Sequence, residues 1–181
     1  MALSATRALR GAAILLALGL ASAAGAAQDL AIGQVSKLPI PRYVSLKSDR
    51  VNLREGPSKE HRTSWVFQRA GLPVEITAEF ETWRRVRDAD GTEGWVLHSL
   101  LSGRRTVLVA PWVKTKGETF ALRASADDGS AVRATLEPGV IANVRSCTGG
   151  TDGWCRVTVG KVEGHIRQDR LWGVYPNEKI D

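Results

Sequence analysis

Apolar positions in this chain fall in short runs that alternate with polar residues or are β-branched. They include RYVSL (42–46), RVNLR (50–54), WVFQ (65–68), PVEITAEF (73–80), RRVRD (84–88), GWVL (94–97), RTVLVA (105–110), FALR (120–123), VIANVRS (140–146), CRVTV (155–159) and GHIR (164–167). Gly, Pro and Asp clusters separate them, and no long window keeps apolar residues at i, i+3, i+4 and i+7. Many short strands at close, regular spacing predict an all-β chain built as a small sandwich or barrel.

The pattern repeats. VNLREGPS (51–58) aligns with FALRASAD (120–127), placing Leu53 on Leu122 and Arg54 on Arg123. RAGLPVEI (69–76) aligns with LEPGVIANV (136–144), WRRV (83–86) with WCRV (154–157), GTEGWV (91–96) with KVEGHI (161–166), and SLL (99–101) with DRLWG (169–173). Leu53 and Leu122, Trp83 and Trp154, and Gly94 and Gly164 keep an offset of 69 to 71 residues, which indicates a duplicated unit of about 60 residues, enough for an independent small barrel.

These landmarks resemble the bacterial SH3 family: a Leu-Arg strand with a Gly/Pro/Ser loop, a mid-domain Gly before an apolar strand, Trp-x-x-Val, a turn, Gly-Trp-Val, and a closing Leu. The first copy carries them all; the second departs where His165 stands in place of the usual Trp. The resemblance covers residues 42–175 and is nearest to exported tandem SH3-like proteins. It implies two tandem SH3-like β-barrels, at 42–105 and 106–175, with an extended linker at 28–41 and a short tail at 176–181. The barrel is a generic interaction scaffold and by itself defines no ligand.

Residues 1–27 are expected to be a signal peptide: Arg7 and Arg10 without an acid, the short apolar stretch GAAILLALGLA, then small residues with cleavage expected after Ala26 or Ala27. The apolar stretch is too short for a membrane span, so no stable membrane anchor is expected. A periplasmic destination follows. Without Arg7 and Arg10 the remainder carries 23 basic and 19 acidic residues, both signs interspersed, which does not fit a dedicated nucleic-acid binder.

Cys147 and Cys155 flank the turn TGGTDG, so a hairpin would set them opposite each other for a disulfide. The rival, a nucleophilic cysteine with His165 ten residues on, has to explain a second cysteine at hairpin distance. Nucleotide-binding, zincin and Cys-x-x-Cys motifs are absent, and His61, His98 and His165 are scattered, so neither cofactor nor metal is expected. Two barrels use nearly the whole chain. The expected protein is therefore not an enzyme.

Strand alternation places Trp83, Arg85 and Arg87 on one face and Arg84 and Val86 on the other, with Val86 in the core. In the second copy Trp154 and Arg156 share the outer face, and Cys155 and Val157 the core side. The tryptophans then either pack at an edge or between barrels, or form ligand platforms, each an amphipathic ring beside an arginine. Trp95, after the glycine that ends the turn, suits either the core or the groove. The candidate ligand-binding set is Trp83, Arg85, Trp95, Trp154 and Arg156. The candidate partner is peptidoglycan or an extended peptide of an envelope protein, gripped twice for avidity on a repeating polymer. The alternative is a structural subunit packing with a partner such as a wall hydrolase.

Overall fold

The computed structural model describes residues 31–181; the expected signal peptide at 1–27 lies outside the described residues. The chain opens with two short strands, β1 (Ala31–Ile32) and β2 (Pro39–Ile40), paired with each other. The first barrel follows: β3 (Arg42–Leu46), β4 (Val51–Arg54), β5 (Thr63–Phe67), β6 (Pro73–Phe80), β7 (Trp83–Arg87), β8 (Glu93–Leu97) and β9 (Leu101–Ser102). Its sheet order is β5-β4-β8-β7-β6-β3-β9. The second barrel has β10 (Thr106–Val109), β11 (Phe120–Arg123), β12 (Val132–Leu136), β13 (Ile141–Thr148), β14 (Trp154–Val159), β15 (Val162–Arg167) and β16 (Leu171–Trp172), in the order β12-β11-β15-β14-β13-β10-β16, with β17 (Lys179–Ile180) added beside β13. The two orders are the same order, so the sequence repeat is a structural one.

Each barrel closes on its own apolar core. Val44, Leu46, Val51, Leu53, Val74, Ile76, Val86 and Val96 fill the first; Val107, Val109, Leu122, Leu136, Val157, Ile166 and Leu171 fill the second. Val86 and Val157 are fully buried, as strand alternation predicts. The glycine opening both Gly-Trp-Val and Gly-His-Ile has a steric cause. A Cβ on Gly94 would lie 2.5 Å from Leu53 Cγ, and one on Gly164 2.7 Å from Leu122 Cγ and from the Arg123 carbonyl oxygen. At these points β8 and β15 pass close over β4 and β11, and only glycine lets the barrel close there.

Two short segments depart from the sequence reading. The residues expected as an extended linker (28–41) are, over 31–40, a hairpin tied to the first barrel. The Glu79 carboxylate accepts the backbone N–H groups of Val35 (3.0 Å) and Ser36 (2.9 Å) and pairs with Arg42 (2.9 Å). The expected tail (176–181) supplies β17, which pairs with Cys147 and Thr148. β17 thereby covers the end of the β13 edge, whose backbone groups would otherwise be unpaired.

The barrels meet through aromatic rings and one buried acid. Tyr43 packs edge-on against Trp172 (5.1 Å between centroids) and tilted against Tyr175 (4.7 Å). Tyr175 Oη donates to Glu75 Oε1 at 2.9 Å, and Arg87 pairs with Glu75 Oε2 at 2.5 Å. Burial, and then the Glu75 charge, push the Tyr43 hydroxyl up to about 12; burial, and then the hydrogen bond to Glu75, raise Tyr175.

Candidate functional site

The disulfide expected from the sequence is present. Cys147 and Cys155 are a directly opposed pair on β13 and β14, with Cα atoms 4.1 Å apart, and both are buried in the second core. The register shows what the first barrel has instead. Just past the same irregularity in the ladder, Glu79 faces Arg84 on β6 and β7. Arg84 Nε lies 3.3 Å from Glu79 Oε1, and the two side chains are 4% and 1% exposed. A covalent link in one copy thus stands where a buried ion pair stands in the other.

Trp83 and Trp154 lie on the outer face of their strands, opposite Leu97 and Arg167 respectively. Of the two alternatives the sequence leaves, packing or open platform, their burial sides with packing: they are only 6% and 8% exposed. The cover comes from loops remote in sequence, which strand alternation does not register. Each ring lies in the wall of a shallow depression. The first, about 270 Å³, is lined by Arg50, Asn52, Arg54, Lys59, Trp83, Leu97 and Leu100. The second, about 300 Å³, is bounded by Ala121, Arg123, Asp128, Trp154, Arg167 and Arg170, with Phe120 and Ile166. At the offset of the repeat, Arg54 matches Arg123, Lys59 matches Asp128, Leu97 matches Arg167 and Leu100 matches Arg170. The same depression is built twice, in the same place, with different charges.

The arginines expected beside these rings are on the expected face but point their charge elsewhere. Arg85 is exposed and pairs with Glu93 at 2.6 Å; Arg156 is exposed and lies 3.8 Å from Glu163. Trp95 is half-buried, opposite both Arg85 and Arg54 in the ladder, and His165 takes its place opposite Arg156 and Arg123. The arginines that line both depressions at matching positions of the repeat are Arg54 and Arg123. The repeat alignment had already paired these two; only the fold shows them beside the rings. Lys59 and Arg50 escaped notice because they sit in the polar loops flanking β4, where hydrophobic periodicity is silent.

The two depressions differ in how their charges are spent. In the first, Arg54 Nη1 donates to the carbonyl oxygens of Lys59 (2.9 Å) and His61 (2.7 Å). Among the described residues no carboxylate pairs with Arg50, Arg54 or Lys59. In the second, Arg167 pairs with Asp128 and with Asp152 (3.3 Å), and its guanidinium stands 5.1 Å from the Trp154 ring centroid. The Arg167 hydrogen bond holds the Asp128 carboxyl below its ordinary value. Arg123 donates to the Ser130 carbonyl (2.8 Å), and Arg170 lies 3.5 Å from Asp169.

A separate cleft of about 430 Å³ lies where the barrels meet, walled by Tyr43, Trp112, Gln168 and Trp172. It contains none of the sequence-predicted site residues and has no counterpart within a repeat. Among the described residues, no cluster of three or more His, Cys, Asp or Glu side chains could hold a metal ion, and no helix is long and apolar enough to cross a membrane.

The repeated sheet order and the glycine-dependent closure define a tandem of small SH3-like β-barrels. The model of the bacterial SH3 domain family matches residues 47–103 and 116–173, and the chain belongs to that family. Bacterial SH3 domains are typically cell-wall binding modules. No curated protein matches the chain. Among solved structures it is similar to NlpC2 from Trichomonas vaginalis, at 13% identity, a TM-score of 0.32, and coverage of 73% of this chain and 48% of that one. It is also similar to NlpC1 from the same organism, at 13% identity, a TM-score of 0.30, and coverage of 78% and 48%. The chain thus spans about half the length of either structure.

Proposed function

We propose that this protein is a non-enzymatic binding module of the cell envelope. It engages peptidoglycan, or an extended peptide of an envelope protein, through the depression beside the core-proximal tryptophan of its SH3-like barrels. The observation that carries this reading is the recurrence of that depression at the same structural position in both copies, each time with a tryptophan and an arginine in its wall. An amphipathic ring supplies shape-matched apolar contact with a sugar or peptide plane, and arginine donates to carboxylates of the kind that wall peptides carry.

The disulfide supports an oxidising destination, and with the expected signal peptide it supports the periplasm. The alternative reading, a structural subunit of a larger envelope assembly, draws on the apolar cleft between the barrels and its half-exposed Trp112. Co-sedimentation of the purified protein with peptidoglycan sacculi separates the two. The wall-binding reading predicts saturable pelleting that weakens as salt rises. Protein that stays in the supernatant at every sacculus concentration, yet co-purifies with an envelope protein, overturns it in favour of the subunit reading.

A further inference from the structure

The two barrels share one groove but not one charge pattern, and the differences fall on the groove itself. The loop after β4 presents Lys59; the matching loop after β11 presents Asp128. The strand end opposite the tryptophan presents Leu97 in the first barrel and Arg167 in the second. The residue three further on is Leu100 in one and Arg170 in the other. In the second barrel these substitutions satisfy one another: Asp128 lies on Arg167, whose guanidinium in turn lies over Trp154. In the first barrel they do not. Arg50, Arg54 and Lys59 form a cationic rim with no carboxylate partner among the described residues, above an apolar floor of Trp83, Leu97 and Leu100.

We propose that the first barrel holds the protein's single open ligand groove, specific for a small apolar residue bearing a free carboxylate, such as the C-terminal residue of a peptide. The second barrel's copy of the groove is closed by its own Asp128 carboxylate. The proposal rests on the reading that the tryptophan depression is the ligand site, and it narrows that reading to one barrel and one chemical class. It also removes avidity between the two grooves as the reason for the duplication: the second barrel would serve as a rigid partner to the first, locked to it through Tyr175 and Glu75.

The physical case has two parts. A carboxylate entering the first groove meets three cations, none of them within ion-pair distance of a carboxylate among the described residues, so it gains charge-assisted hydrogen bonds without first breaking an internal ion pair. Its side chain meets apolar surface, which a phosphate or other bare anion does not use. In the second groove Arg167 is already paired with Asp128 and Asp152, and Arg170 with Asp169, so an approaching carboxylate finds only Arg123 without an ion pair, beside the Asp128 carboxylate, and meets a weaker net attraction than in the first groove.

The test uses the indole N–H resonances of the intact protein, labelled with nitrogen-15 and titrated with N-acetyl-alanyl-alanine, its C-terminal amide and inorganic phosphate. The proposal predicts a saturable shift of the Trp83 indole with the free acid, binding at least about tenfold weaker with the amide and with phosphate, and no movement of Trp154. Arg50→Ala with Lys59→Ala, both at exposed positions, should weaken the response at Trp83 about tenfold. Asp128→Asn with Asp152→Asn should make Trp154 respond to the free acid. Equal responses to acid and amide, or to acid and phosphate, overturn the ligand class. A Trp154 response in the wild type, or none in the Asp128/Asp152 variant, overturns the closed groove. Sacculus pelleting reads the wall-binding proposal separately: a protein that pellets but ignores the dipeptide defeats only the groove's ligand, and one that takes the dipeptide but does not pellet defeats only wall binding.

Discussion

Glu79 concentrates three jobs in one carboxylate. It pairs with Arg84 inside the first barrel, receives the N–H groups of Val35 and Ser36, and binds Arg42. Burial alone would raise its pKa, but the hydrogen bonds from Ser36, Arg42 and Val35 outweigh that and hold it at about 2, against an ordinary value of 4.5. Its folded pKa is depressed, so the stability it contributes is present above about pH 4.5 and is lost as pH falls towards 2. That difference corresponds to about 3 kcal/mol at neutral pH. Glu79→Gln should therefore lower stability at pH 7 by about that amount and flatten the acid limb of the profile, read by urea denaturation at stepwise pH. A variant with the wild-type acid dependence would show that Glu79 does not hold this position. No sequence signal marks Glu79: PVEITAEF reads as an ordinary alternating strand, and three of the partners of its last acid, Val35, Ser36 and Arg42, lie more than thirty residues upstream.

At the scale of elements, the β6–β7 and β13–β14 hairpins are one design with interchangeable locks. The opposed pair is Glu79 and Arg84 in the first and Cys147 and Cys155 in the second, each just beyond the same ladder irregularity. If the register is equivalent, cysteines at both positions should bond: Glu79→Cys with Arg84→Cys should form a second disulfide under oxidising conditions, leaving no thiol reactive to maleimide in the unreduced protein. Two reactive thiols would show that the hairpins differ in geometry. The long strands were readable because their apolar residues alternate over four or more positions and the glycines before Trp95 and His165 recur. The two-residue strands β1, β2 and β17 were not, since a period of two cannot declare itself over two residues. The groove was half readable. Alternation put Trp83 and Trp154 on the outer face, but burial by the segments around 50–59 and 97–100 is a tertiary fact. Arg85 and Arg156 adjoin the tryptophans along the strand, while the arginines common to both grooves, Arg54 and Arg123, come from β4 and β11, two strands away in the sheet.

Over the whole molecule, duplication has produced two barrels of one topology and different chemistry, docked through Tyr43, Trp172, Tyr175 and the buried Glu75. The first copy keeps a cationic rim over apolar floor; the second neutralises its own charges and gains a disulfide. The proposed division of labour puts ligand contact in the first barrel and support in the second. The central claim is that wall binding runs through the first groove, and sacculus co-sedimentation of three variants tests it most directly. Arg50→Glu with Lys59→Glu reverses the rim at exposed sites without touching the core. Asp128→Ala alters the second groove, and Arg85→Glu alters an exposed arginine on the same sheet face outside the groove. The account predicts that the first variant, folded by circular dichroism, loses at least about tenfold in affinity while Arg85→Glu and Asp128→Ala pellet at least as well as wild type within about twofold. Retention of full binding by the Arg50/Lys59 variant, or an equal loss in the Arg85 variant, would contradict it.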